Sequence, residues 1–539
     1  MKYLNKITIL ILAGFMVWGT QSCKDLTELN INPNGVDIEK ANANLILTTV
    51  LTQAGVAYND LGYGDAAGVM QHTQKDAWFG GHNNYDWDPE DWGGYYNMLR
   101  NNEAVYEKAV ANDLKFHQGV ALVMKAFLFG QITDLWGDAP YVNALKGDEG
   151  EPENLMPVYD SQEVIYQGIL DDLAEASNLL SGSPDSYREI FPSADVIYGG
   201  NPAKWRKFAN SLRLRYLMRI SNKKDVGSEF ASIAQNQPIF QSNDDNAYLN
   251  FTGSSEATAW PSNAIFDGGS GSNYRRIHPA ATLVEVMRER NDPRMAIWFK
   301  PVEIPTAAST DYPDNTIVDG VRYFTPESIA EFKLNTNPDY VGLPTQLTIP
   351  SGYNLNPTPG QTSQTQFCSY LHERYATAGG PLLNARLMSY AEVKFLLAEA
   401  AQKGWISSGA EGHYNEAIRA SLAEWTVGDQ ADEYLAQEEV AYDGTLEQLI
   451  TQKWIASWTA AQEAWFDYRR TGYPELETGE LTPRRALPIR FMYGSNELNY
   501  NQQNVEEAID RLTLSPFSQD EKNSPWSKIW VVAGTGKPY

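Results

Sequence analysis

Two cysteines, Cys23 and Cys368, are all that 539 residues contain, so stability must come from burial of a core and not from a disulfide framework. Histidine is scarce as well. None of the six falls in a His-Glu-x-x-His pattern, and His72 and His82 lack a carboxylate at ligand spacing, which leaves no metal site to expect. Positive charge is in deficit: 42 Lys and Arg face 68 Asp and Glu, a net charge of −26. That balance excludes nucleic acid, whose phosphates demand clustered cations, and disfavours an anionic polymer as ligand. Beyond Trp18 no segment approaches the roughly twenty apolar residues of a bilayer-spanning helix, so the mature chain is not expected to span a membrane.

The first twenty-three residues carry an address. Lys2 and Lys6 precede an apolar run from Ile7 to Trp18, and small Ser22 stands immediately before Cys23. The pattern predicts an export signal over residues 1–22 and acylation of the Cys23 thiol, a tether to a membrane surface. Thr20 and Gln21 depart from the usual lipobox, which keeps ordinary signal-peptidase cleavage as the alternative. With Cys23 lipidated, Cys368 has no partner and no disulfide is expected. Residues 23–38 read as an acylated tether, polar and turning at Asn32-Pro33-Asn34-Gly35.

From residue 39 to 539 the chain reads as one domain, with helical periodicity over about 39–221 and 381–539 and a loop-rich lobe over about 222–380. Lys115 to Trp136 lacks proline and stops at Gly137-Asp138-Ala139-Pro140. Asp160 to Leu180 sets Val164, Ile165, Ile169, Leu173 and Ala176 on one stripe. Pro202 to Ile220 opens with proline in its first turn and carries Trp205, Phe208, Leu212, Tyr216 and Ile220. The middle lobe is rich in Gly, Pro, Asn, Ser and Thr, with one helix expected over Pro279 to Glu289; long loops on a rigid frame are a common seat of binding. Leu387 to Lys403 and His413 to Trp425 then form a hairpin of small and aromatic positions like that of tetratricopeptide repeats. A final helix is expected from Thr445, with Gln448 in capping-box spacing, through Leu446, Ile450, Trp454, Trp458, Ala461, Trp465 and Tyr468 to Gly472.

Within that helix, Gln452-Lys453-Trp454-Ile455-Ala456 and Gln462-Glu463-Ala464-Trp465-Phe466-Asp467-Tyr468-Arg469-Arg470-Thr471-Gly472-Tyr473-Pro474 resemble the late signature of the SusD/RagB family of outer-membrane lipoproteins. Arg484-Arg485-Ala486-Leu487-Pro488-Ile489-Arg490-Phe491-Met492-Tyr493 agrees, except that Tyr493-Gly494 stands where the family has Tyr-Pro. Cys23, Asn30-Ile31-Asn32-Pro33-Asn34 and the Gly137-Asp138-Ala139-Pro140 turn agree too. The resemblance implies a mainly α fold, four tetratricopeptide-like hairpins forming a scaffold that carries an irregular loop lobe. It further implies a surface-exposed, lipid-anchored receptor without catalysis or cofactor, acting as a lid over a SusC-like TonB-dependent barrel that imports oligosaccharides or, in some members, peptides.

The residues themselves offer no catalytic motif. Gly268-Gly269-Ser270-Gly271-Ser272 ends in serine where a nucleophile elbow needs glycine. Gly534-Thr535-Gly536-Lys537 is followed by Pro538, where a phosphate-binding loop needs Ser or Thr. Asp86, Asp88, Glu90 and Asp91 lack calcium-loop spacing and read as a solvated acidic turn. Fifteen Trp and thirty Tyr are many for this length, and most must pack a core. One group does not sit at core spacing: Trp78, Asn83, Tyr85 and Trp87, among Gly, Asn and Asp. A sugar needs flat rings under its C–H face and polar groups at its rim, so these are candidate ligand residues. Trp92, Tyr95 and Tyr96 are expected to pack inward. A second candidate surface is Trp260, Asn263, Tyr274, Arg275 and Arg276; the arginines would fork onto hydroxyls or, in a peptide importer, a terminal carboxylate. A secreted glycan-active enzyme whose acid pair is distant in sequence stays open as a third class.

Overall fold

Several helices start where the chain supplies a capping group. In the computed structural model, Asn201 Oδ1 accepts from the Ala203 and Lys204 amides (3.1 and 3.2 Å) ahead of helix Pro202–Ile220. Ser389 does the same for Glu392 (3.1 Å) ahead of Tyr390–Gln402. Lys115–Trp136 ends at Gly137, whose φ of 103° excludes a side chain. The structure describes residues 41–266, 272–356, 365–407, 409–479 and 484–539. The export signal, Cys23, the tether and the glycine run 268–271 lie outside the described residues.

The fold is mainly α and tetratricopeptide-like. Consecutive pairs Gly93–Ala111 with Lys115–Trp136, Gln162–Leu179 with Pro202–Ile220, Tyr390–Gln402 with Ala410–Glu424, and Leu446–Ala456 with Ala461–Thr471 pack on one another in turn. Helix Ala43–Tyr63 leans on Gly93–Ala111 at the start and on Ala461–Thr471 at the end. Strands are short: Thr73–Lys75 pairs with Ile277–Pro279, Ala247–Thr252 with Gly379–Met388, and Val321–Phe324 lies between Thr306–Ala308 and Thr316–Val318.

Five expectations change. Lys115–Trp136 is in fact long and apolar enough to cross a bilayer, but 94% of that stretch is buried in protein, so its apolarity is that of a central core helix. Val164 is exposed, while Ile165, Ile169, Leu173 and Ala176 are buried as expected. Leu387 and Met388 close strand Gly379–Met388, and the helix begins after them at Tyr390. The helix expected from Thr445 to Gly472 is two. Ser457 Oγ bonds back to the Lys453 carbonyl (2.8 Å), and Thr459 takes a left-handed φ of 68°, so Leu446–Ala456 stops and Ala461–Thr471 restarts. Thr445 caps the first as expected, accepting from the Gln448 amide at 3.2 Å, but the Gln448 side chain reaches Asp443 N (2.8 Å) instead of completing the box.

The late signature holds the hairpins together. Helix Ala461–Thr471 is buried along its whole length and presents alternating charges to four neighbours. Glu463 pairs with Arg219 (2.6 Å) and Arg215 (3.4 Å), and Arg215 also with Glu392 (2.6 Å). Arg469 pairs with Asp134 (3.1 Å); Arg470 pairs with Glu399 (2.5 Å) and Asp467 (3.0 Å), and Asp467 with Lys453 (2.7 Å). The segment Arg484–Tyr493 closes over this helix: Trp465 Nε1 donates to the Pro488 carbonyl (2.7 Å) and Arg469 to that of Ile489 (2.9 Å).

Candidate ligand-binding site

A pairing of three residues on three residues builds the site. Thr73, Gln74 and Lys75 stand opposite Pro279, His278 and Ile277 in antiparallel register, which draws the loop after Ala43–Tyr63 against Asn273 and Arg276 and beside Ser262. The two candidate surfaces, distant in sequence, thereby meet. Beside them opens a cavity of 370 Å³ walled by Asp60, Tyr63, Lys75, Trp78, Ser262, Asn273 and Arg276.

Trp78 is 64% exposed at this cavity and holds a left-handed φ of 51°. A non-glycine residue there stores strain, a recurrent mark of ligand contacts. The Arg276 guanidinium lies 5.8 Å from its ring centroid. Behind them Asp76 is fully buried, 3.3 Å from Arg276 Nη1, 3.5 Å from His278 Nε2, and accepting from Thr365 Oγ1 at 3.0 Å. Burial opposes ionisation of Asp76, and bonding to His278, with Arg276 beside it, outweighs burial and holds the carboxyl below its usual range.

The other candidates are placed differently. Tyr85 is wholly buried, and Trp87 is 7% exposed with its ring 5.0 Å from Phe491 and 5.5 Å from Trp465. Trp87 Nε1 donates to the Gly81 carbonyl (2.9 Å). Asn83 is buried too; it accepts from the Lys75 amide (2.9 Å) and donates to the Lys75 carbonyl (2.8 Å), so its amide clamps backbone. These three pin the loop down, and Trp78 is what they leave outside. Trp260 is wholly buried among Tyr63, Phe251 and Tyr375, and Asn263 closes a turn by donating to the Trp260 carbonyl (2.8 Å) and accepting from Phe266 N (2.6 Å). Tyr274 donates to the Leu371 carbonyl (2.6 Å), and Arg275 is exposed outside the described cavity wall. Arg276 is engaged by Asp76, so a forked arginine pair for a peptide carboxylate does not form. Trp92 packs against Trp136, Tyr159 and Tyr493, as expected of it.

Sequence reasoning missed Asp60, Tyr63, Lys75 and Asn273. Asp60 and Tyr63 sit at the end of a buried helix and Lys75 in a three-residue strand, so neither periodicity nor a motif marks them. Burial in the cavity wall pushes the Asp60 carboxyl up to about 6. It pulls the Lys75 ammonium down, against the pull of Asp65.

Gly68 sets the distance between the short helix Asp65–Val69 and the loop. A Cβ there would stand 2.1 Å from the His82 carbonyl oxygen, a backbone atom that cannot step aside alone. Gly68→Ala is expected to cost about 1–3 kcal/mol by overpacking and to displace the loop that pins Trp78, read by denaturant melting. Unchanged stability would mean the loop yields freely. Among the described residues no group of three or more His, Cys, Asp or Glu side chains is placed to hold a metal ion.

Stacked helical hairpins with a loop-walled cavity define a scaffold-type binding protein. Residues 33–494 match the model of the SusD-like family described as starch-binding associating with outer membrane, and the chain belongs to that family. Solved structures of similar fold include a SusD homologue from Bacteroides fragilis (24% identity over 92% of this chain and 99% of that one, TM-score 0.69). Another is a Bacteroides vulgatus protein (28% identity, 91% of this chain and 100% of that one, TM-score 0.71), and a third a chitin-binding protein (23% identity, 91% and 100%, TM-score 0.70). No curated protein matches the sequence significantly.

Proposed function

We propose that this protein is a non-catalytic receptor that captures oligosaccharides at the Trp78 cavity. It hands them, as a lid, to a SusC-like TonB-dependent transporter, anchored at the outer face of the outer membrane through lipid on Cys23. The observation that carries the reading is Trp78: a large exposed ring beside a cavity whose wall includes hydroxyl, amide, carboxyl and ammonium groups. That pairing of an apolar face with polar edge groups is what a sugar ring requires. The family description, starch-binding associating with outer membrane, supports the ligand class and the location.

The test is titration calorimetry of the chain lacking residues 1–23 against a panel of neutral oligosaccharides, malto-oligosaccharides included, with Trp78→Ala alongside. The expected result is saturable binding without release of reducing ends, weakened at least about tenfold in Trp78→Ala, equivalent to roughly 1.4 kcal/mol. Binding untouched by Trp78→Ala would place the site elsewhere, and turnover of any ligand would make the protein an enzyme.

A further inference from the structure

Resting on the receptor reading, we infer a narrower ligand class: an oligosaccharide in which the sugar stacked on Trp78 carries a carboxylate, held by the ammonium of Lys75. The Lys75 backbone is immobilised twice, by its register with Ile277 and by the Asn83 clamp on both its N–H and its C=O. The side chain is part of the cavity wall with Trp78, and among the described residues its ammonium has no ion-pair or hydrogen-bond partner. Arg276, the other cation of the wall, has its charge met by Asp76, so Lys75 is the cation left for a ligand. Asp60 is the single acid of the described wall.

Burial makes the Lys75 charge costly, and Asp65, which attracts it without an ion-pair contact, offsets only part of that cost. A carboxylate entering the cavity restores that loss through a charge-assisted bond, about twice as strong as the bond a neutral hydroxyl would make. The net charge of −26 repels a polyanion, but that repulsion is screened beyond roughly 8–10 Å at physiological ionic strength. The ligand that satisfies both conditions is a mostly neutral oligosaccharide with one acidic residue.

The experiment compares a glucuronic-acid-capped oligosaccharide with the glucose-capped form of the same length, on the protein and on its Lys75→Met and Lys75→Arg variants. The acidic sugar is expected to bind roughly tenfold tighter than the neutral one. That preference should vanish in Lys75→Met, which binds the acidic and the neutral sugar with equal affinity and keeps its melting temperature, and should persist in Lys75→Arg. Equal affinity for the two sugars, or a preference that survives Lys75→Met, overturns the inference while the receptor reading stands. Failure of both sugars to bind overturns the receptor reading itself, and binding of an acidic peptide in their place would assign Lys75 to peptide capture.

Discussion

Glu463→Ala is expected to destabilise the protein by about 3–5 kcal/mol, because it removes the anion shared by two buried arginines. Arg215 keeps Glu392, but Arg219 is left with Asp134 at 3.6 Å, and Tyr58 loses the acceptor of its 2.9 Å bond. Arg219 is 4% exposed and has no route to water without opening the contact between helices Pro202–Ile220 and Ala461–Thr471. Chemical denaturation measures the loss; a change under about 1 kcal/mol would mean that water reaches the arginines and the network is dispensable. The same network sets the response to acid. Burial opposes charge on Glu463 and Asp467, but Arg215 and Arg219 beside the first and Lys453 and Arg470 beside the second hold both carboxyls below their usual range. An acid depressed in the folded state adds stability above its unfolded pKa and loses it as pH falls through the folded value. Stability should therefore hold down to about pH 4 and decline below it. Asp134 works the other way: burial pushes it up in spite of Arg219 and Arg469, so it adds stability as pH falls from its raised folded value towards its unfolded value of about 4, before that decline begins.

The second large effect separates two tryptophans that look alike in the sequence. Trp87→Ala should cost about 3–5 kcal/mol, since it empties the space between Trp465 and Phe491 and removes the bond to Gly81. Trp78→Ala, at 64% exposure, should change stability by about 0.5 kcal/mol or less and act on ligand affinity. Thermal melts of the two variants side by side decide the matter. Comparable melting temperatures would show that Trp87 is not the pin that fixes the loop, and the division of labour proposed for residues 78–87 would fail.

Much of the scaffold was legible. Pro202 in a first turn, Thr445 at an N-cap and Gly137 past a C-terminus are local devices, and each acts at the expected residue. The late signature was recognisable, yet its physical role was not: the charges of Glu463, Asp467, Arg469 and Arg470 find ion-pair or hydrogen-bond partners on helices as far as 405 positions away in sequence. The candidate site was half legible. A loop of Trp, Tyr, Gly and Asn reads the same whether its rings stack on a sugar or on Phe491, because the deciding surface comes from elsewhere in the chain. Thus Trp78 survives as a ligand candidate, whereas Tyr85, Trp87 and Trp260 belong to packing.

By itself, then, the sequence determined most of the scaffold helices and, through the late signature, the family, because caps, breakers, 3.6-residue periodicity and short motifs act over a few residues. Only the tertiary structure decided which aromatic faces outward, which arginine is already paired, and that Asp60, Lys75 and Asn273 share one wall with Trp78. Those outcomes depend on a strand register between residues 73–75 and 277–279 and on ion pairs between distant helices. Burial and pairing are properties of the space between segments, and no local pattern specifies that space.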